Sequence, residues 1–297
     1  MKHERQQAQA RWGNATRHKG SDLPYFKTNT GSQIYYEHHG RQGPAVLLLH
    51  GLASSSRSWR KLSRALQGDY QVYALDFPGH GQSDRWEQYT FYGLSELIKV
   101  FMRACGIPKA TLVGVSLSCS VALLFAIRYP HKVSGLILAG PLGGYLPAGN
   151  PFSWPDRLVF KILPIALQLS VFLLGHHATA YWLNTFGVKR KRTFKSLESI
   201  QSQVDMKAVR QLLWQSANSP YVGHLQAVRV NVLIILGQQD PMPRRFVRYI
   251  QTHLPHVRLI EIPDSRHLIA MEKPTEFNRL VLDFLSQTLK KQPAASF

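Results

Sequence analysis

Acidic residues are scarce in this sequence: 17 Asp and Glu stand against 36 Lys and Arg, for a formal net charge of +19 and a pI near 10.2. A surface of that sign attracts nucleic acid, anionic lipid headgroups or acidic substrates, and charge alone does not choose among them. Cysteine is scarcer still. Cys105 and Cys119 cannot staple a chain of 297 residues, so a disulfide scaffold is excluded and both are expected as buried thiols, in keeping with a reducing, cytoplasmic compartment. No secretory signal is visible in the first twenty residues, which are polar and basic. The longest apolar stretch, residues 158–175, is interrupted by Lys161, Pro164 and Gln168, and reads as an interfacial or lid helix rather than a membrane span. Metal-ligand spacing is missing among the thirteen histidines, and no G-x-G-x-x-G follows a strand, so neither a metal nor a nucleotide cofactor is expected.

What the chain does have is a series of short apolar runs: 45–50, 71–76, 110–116, 133–140, 231–237 and 257–263, after a hairpin expected around 28–33. Continuous apolar runs of this length suit parallel strands buried on both faces. Helix-like stretches at 57–67, 92–106 and 119–130 separate them. The alternation predicts an α/β fold with a doubly wound, mostly parallel sheet. It breaks once. Residues 141–230 hold helix-like segments rich in Leu, Phe and Trp, and are expected as an inserted helical cap. The core would then comprise 23–140 and 231–290, behind a basic tail at 1–22.

Ligands of such sheets bind beyond the carboxyl ends of the strands. The residues there are His50 and Gly51, Asp76, Ser116, Gly140 and Pro141, Asp240 and His267. The surrounding segments, HGLASSSRSW at 50–59, DFPGHGQSD at 76–84, GVSLS at 114–118, LGQQDPMP at 236–243 and PDSRHLIAMEKPTEF at 263–277, come in a telling order. Over roughly residues 25–285, the cap apart, the chain resembles the serine-nucleophile branch of the α/β-hydrolase family. Five segments in the family's order weigh far more than one elbow motif.

The resemblance implies roles that chemistry makes intelligible. A serine hydroxyl needs a base within reach, and His267 is the candidate base for Ser116. The imidazole needs a carboxylate on its other nitrogen; Asp240 is best placed, although Asp264 and Glu272 lie nearer in sequence. The backbone N–H groups of Leu52 and Leu117 are implied as the oxyanion hole. His50 is expected to brace the oxyanion loop, and Asp76 to tie down the PGHG turn. One position departs from the family: Ser118 stands where glycine is usual. Ser118, Cys119 and Ser120 are all small, so a helix can still pack close behind the strand.

The expected activity is hydrolysis of a carboxylic ester with an apolar acyl or alkyl part, through an acyl-enzyme. The same machinery also suits carbon–carbon bond hydrolysis, lactone opening and acyl transfer. A receptor-like protein that binds such a molecule with little turnover is the reading from another class. The expected partner is a small-molecule ester, with peripheral contact to anionic membrane suggested by the charge. Nucleic acid is disfavoured, because the basic residues form no recognisable recognition motif.

Overall fold

The computed structural model of the chain describes residues 24–142, 162, 204–217, 220–242 and 244–290. Among them, one sheet is built from β1 (Tyr25–Lys27), β2 (Gln33–His39), β3 (Ala45–Leu49), β4 (Gln71–Leu75), β5 (Ala110–Val115), β6 (Val133–Ala139), β7 (Val232–Gly237) and β8 (Val257–Ile262). The spatial order is β1-β2-β4-β3-β5-β6-β7-β8. The β1–β2 and β2–β4 pairs are antiparallel, and every later pair is parallel. The doubly wound, mostly parallel sheet expected from the apolar runs is the fold observed.

Burial explains why those runs carry no polar alternation. Side chains of a strand point alternately to the two faces. Leu47, Leu49, Leu112, Leu136 and Leu138 enter one apolar cluster, while Val46, Leu48, Val113 and Ile137 enter another on the opposite face. Both faces are therefore covered. The first is packed by α2 (Phe91–Ala104) and α3 (Ser118–Arg128), the second by α1 (Arg60–Leu66) and the carboxyl-terminal helix, whose Phe277 lies beside Trp59. Each such aliphatic or aromatic side chain, fully buried, contributes about 1.5–3 kcal/mol.

Local chemistry sets the helix boundaries. Thr90 caps α2, its hydroxyl accepting from the Gly93 N–H at 2.9 Å. Glu96, buried on α2, receives hydrogen bonds from Arg128 and Tyr129 at the end of α3, with Lys99 at 3.5 Å, so the two helices are pinned by a buried charge cluster. Cys119 is fully buried, Cys105 only partly, and no disulfide joins them.

Of the range 141–230, residues 143–161, 163–203, 218 and 219 lie outside the described residues, as do the tail at 1–22 and all but Ile162 of the apolar stretch at 158–175. From Val204 onward the chain forms α4 (Met206–Ala217) and a 3-10 segment, Pro220–Ala227. Ala208, Leu212, Tyr221, Leu225 and Val228 join the α2–α3 cluster. Gln211 and Gln215, one turn apart on α4, accept from the backbone N–H groups of Tyr89 and Phe91 at 2.7 Å each. Three further helices, α5 (Arg245–His253), α6 (Ile269–Glu272) and α7 (Pro274–Lys290), complete the described chain. No helix among the described residues is long and apolar enough to cross a membrane.

The chain leaves β3 toward β4 on one side and leaves β5 toward β6 on the other. Between the carboxyl ends of these two neighbours the connections diverge and leave a crevice. Ser116 follows β5, and the loop containing Gly51 and Leu52 follows β3.

Candidate active site

Ser116 has a φ of +56°, in the left-handed region that a residue bearing a side chain rarely adopts. The strain comes from the turn itself, which reverses β5 into α3 within a few residues. A side chain on Gly114 would lie 3.1 Å from the main chain of Ser118 and Cys119, so the helix packs as close behind the strand as the small residues after Ser116 allow. The Ser116 N–H donates to the Ala139 carbonyl at 2.8 Å, fastening the elbow to the end of β6.

His267 brings its Nε2 to 2.8 Å from Ser116 Oγ, and its Nδ1 lies 2.9 Å from Asp240 Oδ2. The other Asp240 oxygen accepts from the Met242 N–H at 2.9 Å, which fixes the carboxylate's orientation toward the imidazole. Asp264 and Glu272 stand elsewhere: Asp264 is mostly exposed, 3.9 Å from Lys273, and the buried Glu272 accepts from the Arg266 N–H at 2.6 Å. Of the three carboxylates weighed from the sequence, Asp240 is the one on the imidazole. A hydroxyl, an imidazole and a carboxylate thus form one hydrogen-bonded line drawn from the ends of β5, β7 and β8. In such a line the carboxylate sets the Nδ1–H tautomer and leaves Nε2 free to take a proton from the hydroxyl.

Two contacts that align this line had no sequence signal of their own. Gly237 ends β7 so close to the next loop that an added side chain would lie 2.2 Å from the Arg266 carbonyl oxygen. The Gln239 N–H donates to the Ser265 carbonyl at 2.9 Å across the same gap. The turn carrying Asp240 and the loop carrying His267 are consequently zipped main chain to main chain. Glu272, by holding the Arg266 amide, secures the other side of His267.

The loop after β3 lies against the elbow. A side chain on Gly51 would sit 3.2 Å from the Val115 carbonyl oxygen and 3.5 Å from Ser116 Cβ. Leu52 follows immediately, and Leu117 opens the turn into α3 on the other side of Ser116. His50 is fully buried and donates from Nδ1 to the Gly51 carbonyl at 2.7 Å, while its Nε2 accepts from the Phe77 N–H at 2.9 Å. Burial pushes its pKa down to about 4, so the ring is a neutral strut between the loops after β3 and β4. Asp76, also buried, accepts from the Ser56 N–H at 2.6 Å and the Gln82 N–H at 2.8 Å, which ties the PGHG turn to the same region. Desolvation raises its pKa, and the two N–H donors oppose that rise. Leu52 and the left-handed Ala53 meet Val204, Val209 and Leu213, an apolar wall beside the crevice. No group of three His, Cys, Asp or Glu side chains among the described residues is arranged to hold a metal ion.

A profile of the alpha/beta hydrolase fold matches residues 44–274. The chain belongs to the α/β-hydrolase family. The uncharacterized hydrolase YugF of Bacillus subtilis is 25% identical over 268 residues, covering 87% of this chain and 96% of its own. The 2-hydroxy-6-oxo-6-phenylhexa-2,4-dienoate hydrolase of Comamonas testosteroni is 28% identical, over 86% of this α/β-hydrolase and 91% of the relative. Among solved structures, an esterase from Exiguobacterium antarcticum superposes with a TM-score of 0.80 at 18% identity, over 89% of this chain and 99% of that one. At that identity the likeness concerns the fold.

Proposed function

We propose that this α/β-hydrolase is a serine hydrolase that cleaves a carboxylic ester bearing an apolar acyl or alkyl part. The observation that carries the reading is the Ser116–His267–Asp240 line at 2.8 and 2.9 Å. Ser116 Oγ attacks the ester carbonyl as its proton passes to His267 Nε2, and Asp240 accepts from Nδ1–H and supports the imidazolium. The N–H groups of Leu52 and Leu117 receive the negative oxygen of the tetrahedral intermediate; losing one such donor typically costs about 10²–10³ in rate. Collapse expels the alcohol, which takes the proton from Nε2. Water then attacks the acyl-enzyme with His267 as base, the acid leaves, and Ser116 regains its proton. The apolar wall of Leu52, Val204, Val209 and Leu213 supports an apolar group on the substrate.

A p-nitrophenyl ester series from acetyl to palmitoyl, run with Ser116→Ala beside wild type, tests this. Turnover that disappears in the variant is the expected result, and its chain-length optimum sizes the apolar site. Turnover that survives the substitution removes the serine mechanism.

A second reading, hydrolysis of a carbon–carbon bond beside a carbonyl, is favoured by the relatives named as 2-hydroxy-6-oxo dienoate, dienedioate and trienedioate hydrolases, 28–29% identical over 82–86% of the chain. Activity on a 2-hydroxy-6-oxo-dienoate, with silence across the esters, would select it.

We further propose that the basic surface meets anionic membranes peripherally. Arg57, Arg60, Lys61 and Arg64 are all exposed and recur at i, i+3, i+4 and i+7, one face of the helical segment after the crevice loop, with no acidic residue in its first turn. Co-sedimentation with anionic vesicles that is lost at high salt and weakened by Arg57→Gln/Lys61→Gln is expected; binding indifferent to vesicle charge would end the idea.

A further inference from the structure

The departure from glycine at Ser118 is a built feature. Strands β3 and β5 run parallel with Leu49 opposite Gly114, and just beyond that pair both chains turn away into their loops. At that point the Val115 N–H and the Leu49 carbonyl are the last main-chain groups of the β3–β5 ladder, and no further strand pairing holds the two chains together. The Ser118 hydroxyl, itself with no exposed surface, accepts from the Val115 N–H at 2.8 Å and donates to the Leu49 carbonyl at 2.7 Å. The Val115 carbonyl lies farther, at 3.0 Å, so the single proton goes to Leu49. One hydroxyl thus joins the last residue of the strand before the nucleophile to the last residue of the strand before the loop of Leu52.

The next turn repeats the device toward the other side. Ser120 Oγ donates to the Leu142 carbonyl at 2.8 Å, beyond β6, and the Ser116 N–H already holds Ala139. The elbow is therefore held to β6 by main chain, and to β3 by the end of the ladder together with a side chain that glycine lacks.

We infer that Ser118 is a positioning residue, whose hydroxyl sets the separation between the Ser116 nucleophile and the Leu52 amide by bridging Val115 N–H and Leu49 C=O. The inference rests on the reading of Ser116 as nucleophile. Donors for an oxyanion work only when placed within about 2.7–3.1 Å of it, and an error of about 1 Å can cost on the order of 10² in rate. Gly51 touches the elbow, so any slackening between β3 and β5 is passed directly to Leu52.

The test is phosphonylation of the purified full-length protein by a fluorophosphonate probe, which reports on the nucleophile without knowledge of the natural substrate. Wild type, Ser116→Ala, Ser118→Ala and Ser118→Gly are compared well below their melting temperatures, with the maximal labelling rate separated from the concentration giving half of it. Ser118→Ala removes the hydroxyl bridge and leaves a methyl that excludes water beside both main-chain groups. Ser118→Gly opens room for a water to take the hydroxyl's place. The expected result is a maximal rate about 10–100-fold lower in Ser118→Ala, at unchanged half-saturating concentration, with Ser118→Gly faster than Ser118→Ala. Helix propensity alone ranks the two the other way, since alanine is the better helix former. A Ser118→Ala rate within about twofold of wild type, or Ser118→Ala equal to or faster than Ser118→Gly, overturns the inference while leaving the serine mechanism standing. Wild type that labels no faster than Ser116→Ala overturns the hydrolase reading itself, and the inference with it.

Discussion

Gly237 and Arg266 meet so closely that a methyl group on the glycine would lie 2.2 Å from the arginine's carbonyl oxygen. The neighbour is backbone, which cannot swing aside as a side chain can. Gly237→Ala should therefore cost about 1–3 kcal/mol of stability by overpacking. It should also part the Asp240 turn from the His267 loop, so that ester turnover falls far more than the folded fraction does. Thermal melts alongside initial rates check both halves.

Asp240→Asn preserves the size of the side chain but presents an amide to His267 Nδ1. The imidazole is then free to place its proton on Nε2, facing the serine. A loss of about 10³–10⁴ in kcat with little change in KM is expected, measured on whichever p-nitrophenyl ester wild type prefers. Retention of full kcat would leave Asp240 as a turn-capping residue only.

Two buried histidines make the fold acid-sensitive. Burial pushes the pKa of His50 down to about 4, and burial together with the nearby His50 pushes His80 down to about 3, against an ordinary 6.5. Protonation would set His50 Nε2–H against the Phe77 N–H it now accepts from, and would charge His80 Nε2, which has no partner. As pH falls below 6.5 the unfolded chain takes up protons that the folded chain refuses, so stability is lost from there down to about pH 4 for His50 and 3 for His80. Each histidine contributes a slope of about 1.4 kcal/mol per pH unit at most. Urea unfolding between pH 6.5 and 4.5 should show the decline, and His80→Phe should make it shallower.

Glu96 and Arg128 pin α2 to α3 from a site that is almost dry. Removing one partner strands the other charge. Glu96→Ala should destabilise by roughly 3–5 kcal/mol, whereas Glu96→Ala combined with Arg128→Met should recover much of it. Urea midpoints of the two variants decide the matter.

The inner parallel strands were legible in the sequence because both faces of each are covered, which leaves few polar residues in the run, such as Thr111 and Ser134, which bond each other. Strand β8 read less cleanly: it is an edge, with Arg258 and Glu261 exposed. Ser116, Asp240 and His267 could be found from their places just past strand ends and from the family's order of segments. The order of the strands across the sheet, with β4 outside β3, leaves no periodicity to read. Nor did residues 204–230 reveal where they pack: an amphipathic helix looks the same whether its apolar side faces a cap or the core. The one signal available was Gln211 and Gln215, two amides at i and i+4 facing backbone N–H groups. The consequence of Ser118 was hidden for a different reason, since small size was visible in the sequence but the two main-chain groups beside it were not.

Ser116 and His267 are 151 residues apart, yet separated by one hydrogen bond. During synthesis, β5 and the elbow are complete long before the turn of Asp240 or the loop of His267 has been made. Until then the serine is an ordinary alcohol in a cramped turn, with nothing to take its proton. Closing so long a loop is among the slower events of folding. On the proposed serine mechanism, reactivity at Ser116 arises only once the turn of Asp240 and the loop of His267 have docked, so labelling of that serine reports that the chain has folded as far as His267.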